Sequence, residues 1–144
     1  MGLFDFIKDA GKTLGDSMDV ARDLKGELSE QGFEVEDLGL QFKDGVATIT
    51  GQVASQEERE KVILALGNIR GVAQVDDMLQ VVNPEPEAVF YTVQSGDTLS
   101  KISKTHYGEA MKYMKIFEAN QPMLKDPDKI YPGQVLRIPP QEEK

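Results

Sequence analysis

Lys43-Asp44-Gly45-Val46-Ala47-Thr48-Ile49-Thr50-Gly51 decides how the first half of this 144-residue chain is read. Lys43-Asp44-Gly45 is a turn signal, and residues 46–53 have the β-branched, alternating character of a strand. Upstream, Leu38, Leu40 and Phe42 alternate like a half-buried strand, so the turn joins two strands. Downstream, Ser55 and Glu58 have capping-box spacing, which predicts a helix start. That helix carries Val62, Ile63 and Leu66 and ends near Gly67, and Val75, Leu79 and Val81 mark a last strand.

Toward the N-terminus, Leu3, Phe4, Ile7 and Ala10 recur at helical spacing, predicting a short amphipathic helix over residues 3–10 that Gly11 stops. A second helix is expected over residues 16–31, with Asp16 as cap, a stripe of Val20, Leu24 and Leu28, and Gly32 at its end. The expected order is α-α-β-β-α-β, an α+β unit with a small sheet and helices on one face.

Asn83-Pro84-Glu85-Pro86-Glu87-Ala88 reads as a stiff, solvated linker. The expected division is a first domain over residues 1–83, a linker over 84–89 and a second domain over 90–144. Phe90-Tyr91-Thr92-Val93 predicts a strand, Ser95-Gly96 a turn, and Asp97 the cap of a helix containing Leu99 and Ile102. After Gly108, a helix with Met111, Met114, Ile116 and Phe117 ends about Asn120, and Tyr131-Pro132-Gly133 turns into a strand over residues 135–138. This β-α-α-β unit of about 50 residues has little core of its own and gains from packing on a neighbour.

Composition narrows the chemistry. The chain has no Cys and one His, so a thiolate or multi-histidine metal centre and a cysteine nucleophile are excluded. The net charge of -9 argues against nucleic-acid binding through overall charge. Residues 1–83 carry 8 basic and 16 acidic side chains, so they hold nearly all of that excess. No apolar run approaches the roughly 18 residues that cross a bilayer. The segment Met1-Gly2-Leu3-Phe4-Asp5-Phe6 lacks the pattern of a signal peptide, which gives a cytoplasmic location as the expectation.

Val46-Ala47-Thr48-Ile49-Thr50-Gly51, the Glu57-Glu58-Arg59-Glu60-Lys61 helix and Gly71-Val72-Ala73-Gln74-Val75-Asp76-Asp77 together resemble a BON domain. Residues 91–103, Ile116-Phe117-Glu118-Ala119-Asn120 and residues 130–139 resemble the three blocks of a LysM domain. The pair, with the opening residues 1–11, resembles the bacterial potassium-binding proteins in which BON precedes LysM. That resemblance implies a cytoplasmic monomer that binds K+, changes conformation and makes a BON–LysM contact within the chain.

K+ is cheaply dehydrated and is satisfied by neutral carbonyl oxygens, so its site leaves almost no side-chain signature. Helix C-termini supply unpaired carbonyls and the negative end of a dipole. Two helix ends qualify: Ile7-Lys8-Asp9-Ala10-Gly11 and Gly67-Asn68-Ile69-Arg70-Gly71-Val72. The resemblance places backbone ligands at Ile7, Lys8 and Ala10 in the first and at Gly67, Ile69 and Val72 in the second.

Other readings stand beside this one. LysM domains commonly hold N-acetylglucosamine glycans, which the resemblance would place at Gly96, Asp97, Thr98, Leu99, Asn120 and Ile130. A BON-mediated membrane adaptor is a third reading. Asp76-Asp77 reads as a solvated strand end and His106 as the end of a helix. No nucleophile motif accompanies His106, so no enzyme is expected.

Overall fold

The computed structural model describes residues 2–6, 20–83 and 88–140. Four strands and two helices form the first unit: β1 (Gly2–Asp5), α1 (Val20–Glu30), β2 (Glu36–Lys43), β3 (Val46–Ser55), α2 (Gln56–Gly67) and β4 (Gln74–Asn83). The sheet order is β1-β4-β3-β2. The expected β2–β3 hairpin forms with Phe42 opposite Ala47, and Asp44 (φ 51°) and Gly45 (φ 82°) both take the left-handed backbone its tight turn demands. α2 carries the chain across to β4, which lies parallel to β3 from Val46 opposite Gln74 to Ser55 opposite Asn83.

The opening segment differs from expectation. Gly2–Asp5 is a strand, not a helix, and pairs antiparallel with β4, Leu3 opposite Asp76 and Phe4 opposite Val75. The order among the described residues is therefore β-α-β-β-α-β. Leu3 is exposed, while Phe4 is half-buried and Phe6 buried. That is period two, set by long-range pairing with β4, while residues 7–10 of the expected helix lie outside the described residues. The Asp16 cap and the Gly11 stop lie outside the described residues.

Burial falls on one sheet face. Ala47, Ile49 and Val53 of β3 and Val75 and Leu79 of β4 meet Val62, Ile63 and Leu66 of α2, and Leu24 and Leu28 of α1 complete the core. Both helices pack on this face. Asp77 also points inward, fully buried, and this corrects the reading of Asp76-Asp77 as a solvated strand end. Arg59 of α2 donates Nε to Asp77 Oδ2 at 2.6 Å, and Leu79 N–H donates to Oδ1 at 3.0 Å. A buried carboxylate so paired ties helix to sheet, and losing one partner would leave a costly bare charge.

The second unit contains β5 (Val89–Thr92), α3 (Leu99–Tyr107), a 3-10 turn (Ala110–Lys112), α4 (Tyr113–Ala119) and β6 (Val135–Ile138). β5 and β6 pair antiparallel, Tyr91 opposite Leu136. Val93, Leu99, Ile102, Ile116, Phe117 and Leu136 form its small core. The units share apolar surface: Val135 belongs to the first core, Met123 packs against both, and Phe90 lies 5.1 Å from Phe4 between ring centroids.

Candidate functional site

Ser55 accepts the Glu58 N–H at 3.1 Å and starts α2, as its capping-box spacing predicted. At the other end Asn68 caps the helix, and its N–H donates to Leu64 O at 3.0 Å. Residues 67–72 then fold into a compact loop, in which Ile69 N–H donates to Leu66 O at 3.2 Å and Val72 N–H to Ile69 O at 3.1 Å. Gly71 turns the chain with φ 103°. The Gly45 carbonyl anchors the exit, accepting from Ala73 N–H at 2.7 Å and Gln74 N–H at 3.1 Å.

Gly67, Ile69 and Val72 thus lie together within one loop. The Ile69 and Val72 side chains are buried in the core, so only their backbone oxygens are available for chemistry. Among the described residues, no hydrogen-bond donor reaches the Gly67 or Val72 carbonyl. The Gly67 oxygen sits at the negative end of α2. No group of three or more His, Cys, Asp or Glu that could hold a metal occurs among the described residues. Neutral oxygens without convergent carboxylates suit a monovalent ion better than Ca2+ or Mg2+.

Ile7, Lys8 and Ala10 lie outside the described residues. The residue that leads into them is described. Phe6 N–H donates to Ala73 O at 2.8 Å, continuing the β1–β4 pairing. Its ring lies flat against Gly67: a Cβ there would stand 2.1 Å from Phe6 Cε2 and Cζ. Gly67 is required by this approach rather than by its backbone angle. The chain therefore runs into residues 7–10 from a point in contact with the end of α2.

The six residues of the glycan reading fare unevenly. Gly96 turns at φ 89°. Asp97 is not the cap of α3; Thr98 is, with Oγ1 accepting the Lys101 N–H at 3.1 Å. Thr98 wins because it immediately precedes the first helical residue, which puts its oxygen over the orphan N–H groups. Asp97 instead accepts from Tyr91 Oη at 2.6 Å and Gln94 N–H at 2.8 Å. The Tyr91 hydrogen bond, with the Gln94 bond second, holds the Asp97 carboxyl below its usual range. The same bond raises the Tyr91 phenol. Leu99 is buried and Ile130 packs against the second core. Asn120 is committed: Nδ2 donates to Ile116 O at 2.8 Å and Arg137 O at 2.9 Å, and Oδ1 accepts Arg137 N–H at 2.8 Å. His106 lies in the last turn of α3, edge-on to Tyr91 at 5.4 Å between centroids.

A contact between the units was expected, but the residues that make it were not identified from the sequence. Arg137 donates Nε and a terminal nitrogen to Glu60 Oε1 at 3.0 and 2.8 Å. Glu60 Oε2 accepts from Gln56 Nε2 at 3.0 Å and from Ala88 N–H at 2.9 Å. Eight residues further along, Asn68 Nδ2 donates to Val135 O at 2.8 Å while its Oδ1 accepts Val135 N–H at 2.8 Å. A charged residue inside Val135-Leu136-Arg137-Ile138 was a usable signal, since a buried guanidinium needs an acid. Beside Asn68 opens a cleft of about 440 Å³, walled by Glu27 and Gln31 from the first unit and Lys125, Tyr131 and Gln134 from the second.

The BON domain profile matches residues 16–83 and the LysM domain profile residues 91–139. The potassium binding protein Kbp of Escherichia coli O6:H1 is 52% identical over an alignment covering 96% of this chain and 99% of that protein. The chain belongs to the Kbp family. An uncharacterized protein of Deinococcus radiodurans is 33% identical over 79% of this chain and 47% of its own length. Kbp-family membership accounts for both units in one chain, in the order found. No helix among the described residues is long and apolar enough to cross a membrane.

Proposed function

We propose that this Kbp-family chain is a cytoplasmic K+-binding protein, a sensor or buffer that changes conformation with the ion. The ligands are backbone carbonyls of Ile7, Lys8 and Ala10 from the opening segment and Gly67, Ile69 and Val72 from the loop after α2. The observation that carries the reading is the contact of Phe6 with Gly67, which brings the start of the chain to a helix end where, among the described residues, the Gly67 and Val72 carbonyls have no donor and the Ile69 carbonyl accepts only Val72 N–H. The excess acid of residues 1–83 adds a modest, salt-screened attraction for cations.

Isothermal titration with K+, Na+ and Mg2+ tests this. Saturable K+ binding that Na+ and Mg2+ do not match supports it; equal affinity for all three, or none for K+, sinks it. A glycan-binding LysM domain is the second reading, motivated by the match to that domain. Against it, both amide hydrogens of Asn120 are already donated within the fold, so its side chain has no donor left for a sugar. Retention on insoluble peptidoglycan that is the same with and without K+ would favour it.

A further inference from the structure

The open edge of β6 is closed by two asparagine side chains, one from each unit. Val93 N–H donates to Gln134 O at 2.8 Å, and Tyr91 lies opposite Leu136. In an antiparallel pair the hydrogen-bonded positions alternate, so Val135 and Arg137 direct their N–H and C=O away from β5. A bare strand edge of this kind invites a partner. Asn120, the cap of α4, serves Arg137 with both amide groups, and Asn68, the cap of α2, serves Val135 in the same way. The first pairing lies within the second unit. The second crosses between units.

We propose that Asn68 is a positioning residue through which occupancy of the loop after α2 reaches the second unit. The proposal rests on the potassium reading above. Asn68 stands between Gly67 and Ile69, two of the residues whose carbonyls are assigned to the ion. Drawing those oxygens inward rotates the peptide planes on both sides of its Cα. Asn68 is 6% exposed, and its Nδ2 also donates to Leu64 O at 3.0 Å. Two bonds of 2.8 Å to one residue do not survive a displacement of about 1 Å at good geometry. Glu60, by contrast, lies about 12 Å back along α2, taking 1.5 Å per residue, and its pairing with Arg137 is remote from the loop. Ion binding therefore acts on one end of the contact between units and spares the other.

Amide hydrogen exchange by NMR on the full chain tests this, in K+ and in tetramethylammonium at equal ionic strength. The expected result is a K+-dependent change at Val135 N–H of about two- to tenfold, the range that one net hydrogen bond supports. Arg137 N–H, held by Asn120, stays unchanged and is the internal control. In Asn68→Ala, K+ still shifts the carbonyl carbons of Gly67, Ile69 and Val72, while Val135 N–H exchanges fast in both buffers. Equal responses at Val135 and Arg137 in the parent overturn the proposal, as does a Val135 response that persists in Asn68→Ala. Loss of K+ binding in a folded Asn68→Ala protein overturns it too, by making Asn68 part of the site itself. If that variant fails to fold, the comparison within the parent decides alone. K+ that leaves the loop carbonyls unmoved in the parent refutes the potassium reading first, and this inference with it.

Discussion

Gly67→Ala is a one-methyl change that tests fold and site together. The added Cβ would meet Phe6 Cε2 and Cζ at 2.1 Å and Cε1 at 2.3 Å. Carbon atoms rest about 3.5–4.0 Å apart, so the ring must withdraw by roughly 1.5 Å. Phe6 is 8% exposed, and withdrawal takes it from the core toward water. Full burial of such a side chain is worth about 1.5–3 kcal/mol, so partial ejection forfeits a good share of that. Alanine returns up to about 1 kcal/mol through better helix propensity at the last residue of α2. The net expectation is a loss of about 1–2 kcal/mol in urea unfolding with m unchanged. The shift also displaces the segment that follows Phe6, so calorimetric K+ binding weakens or disappears. In a Phe6→Ala background the clash is absent, and the second change becomes neutral or mildly stabilising; the cycle isolates the contact. A Gly67→Ala protein as stable as its parent, with unaltered K+ affinity, would refute the packing of Phe6 on the loop.

Arg137→Met leaves the buried Glu60 carboxylate with only Gln56 and Ala88 as donors, and should cost about 3 kcal/mol by urea unfolding, the lower end for a broken buried pair. Replacing both partners, as Glu60→Leu with Arg137→Met, should recover most of that loss. Asp77→Ala strands Arg59 and the Leu79 N–H and should lower the thermal midpoint, whereas Asp76→Ala on the same strand should change it little. Asp97 has its pKa lowered in the fold, so its contribution is present above the unfolded value of about 3.9 and is lost as pH falls through the folded value. Asp97→Asn should flatten that acid limb, read from NMR signals of Tyr91 and Gln94.

Local signals made much of the fold legible. The Lys43-Asp44-Gly45 turn, the Ser55 cap and the alternation of β4 each depend on neighbours within a few residues, and each forms where expected. β1 was illegible because Leu3, Phe4 and Ile7 satisfy a helical period, while pairing with residues more than sixty positions away fixed a strand. Distance in sequence also hid which residues make the contact between units: Glu60 and Arg137 are 77 residues apart, and Asn68 and Val135 are 67 apart. Asp97 and Thr98 show a finer limit, since two adjacent residues can both cap a helix and only backbone direction chooses between them. The candidate site is the hardest case. Its proposed ligands are main-chain oxygens, so Ile69 and Val72 read as core and are core, and only glycine spacing and the end of α2 hinted at carbonyls to spare.

Carbonyl 13C NMR titration of the full chain with K+ observes the proposed ligand atoms themselves. If these carbonyls hold the ion, saturable shifts appear at Gly67, Ile69 and Val72 together with Ile7, Lys8 and Ala10, are absent with Mg2+ and reverse when K+ is removed. Saturable K+ binding that leaves these six carbonyl carbons in place, and moves Asp or Glu carboxyl carbons instead, would contradict that assignment.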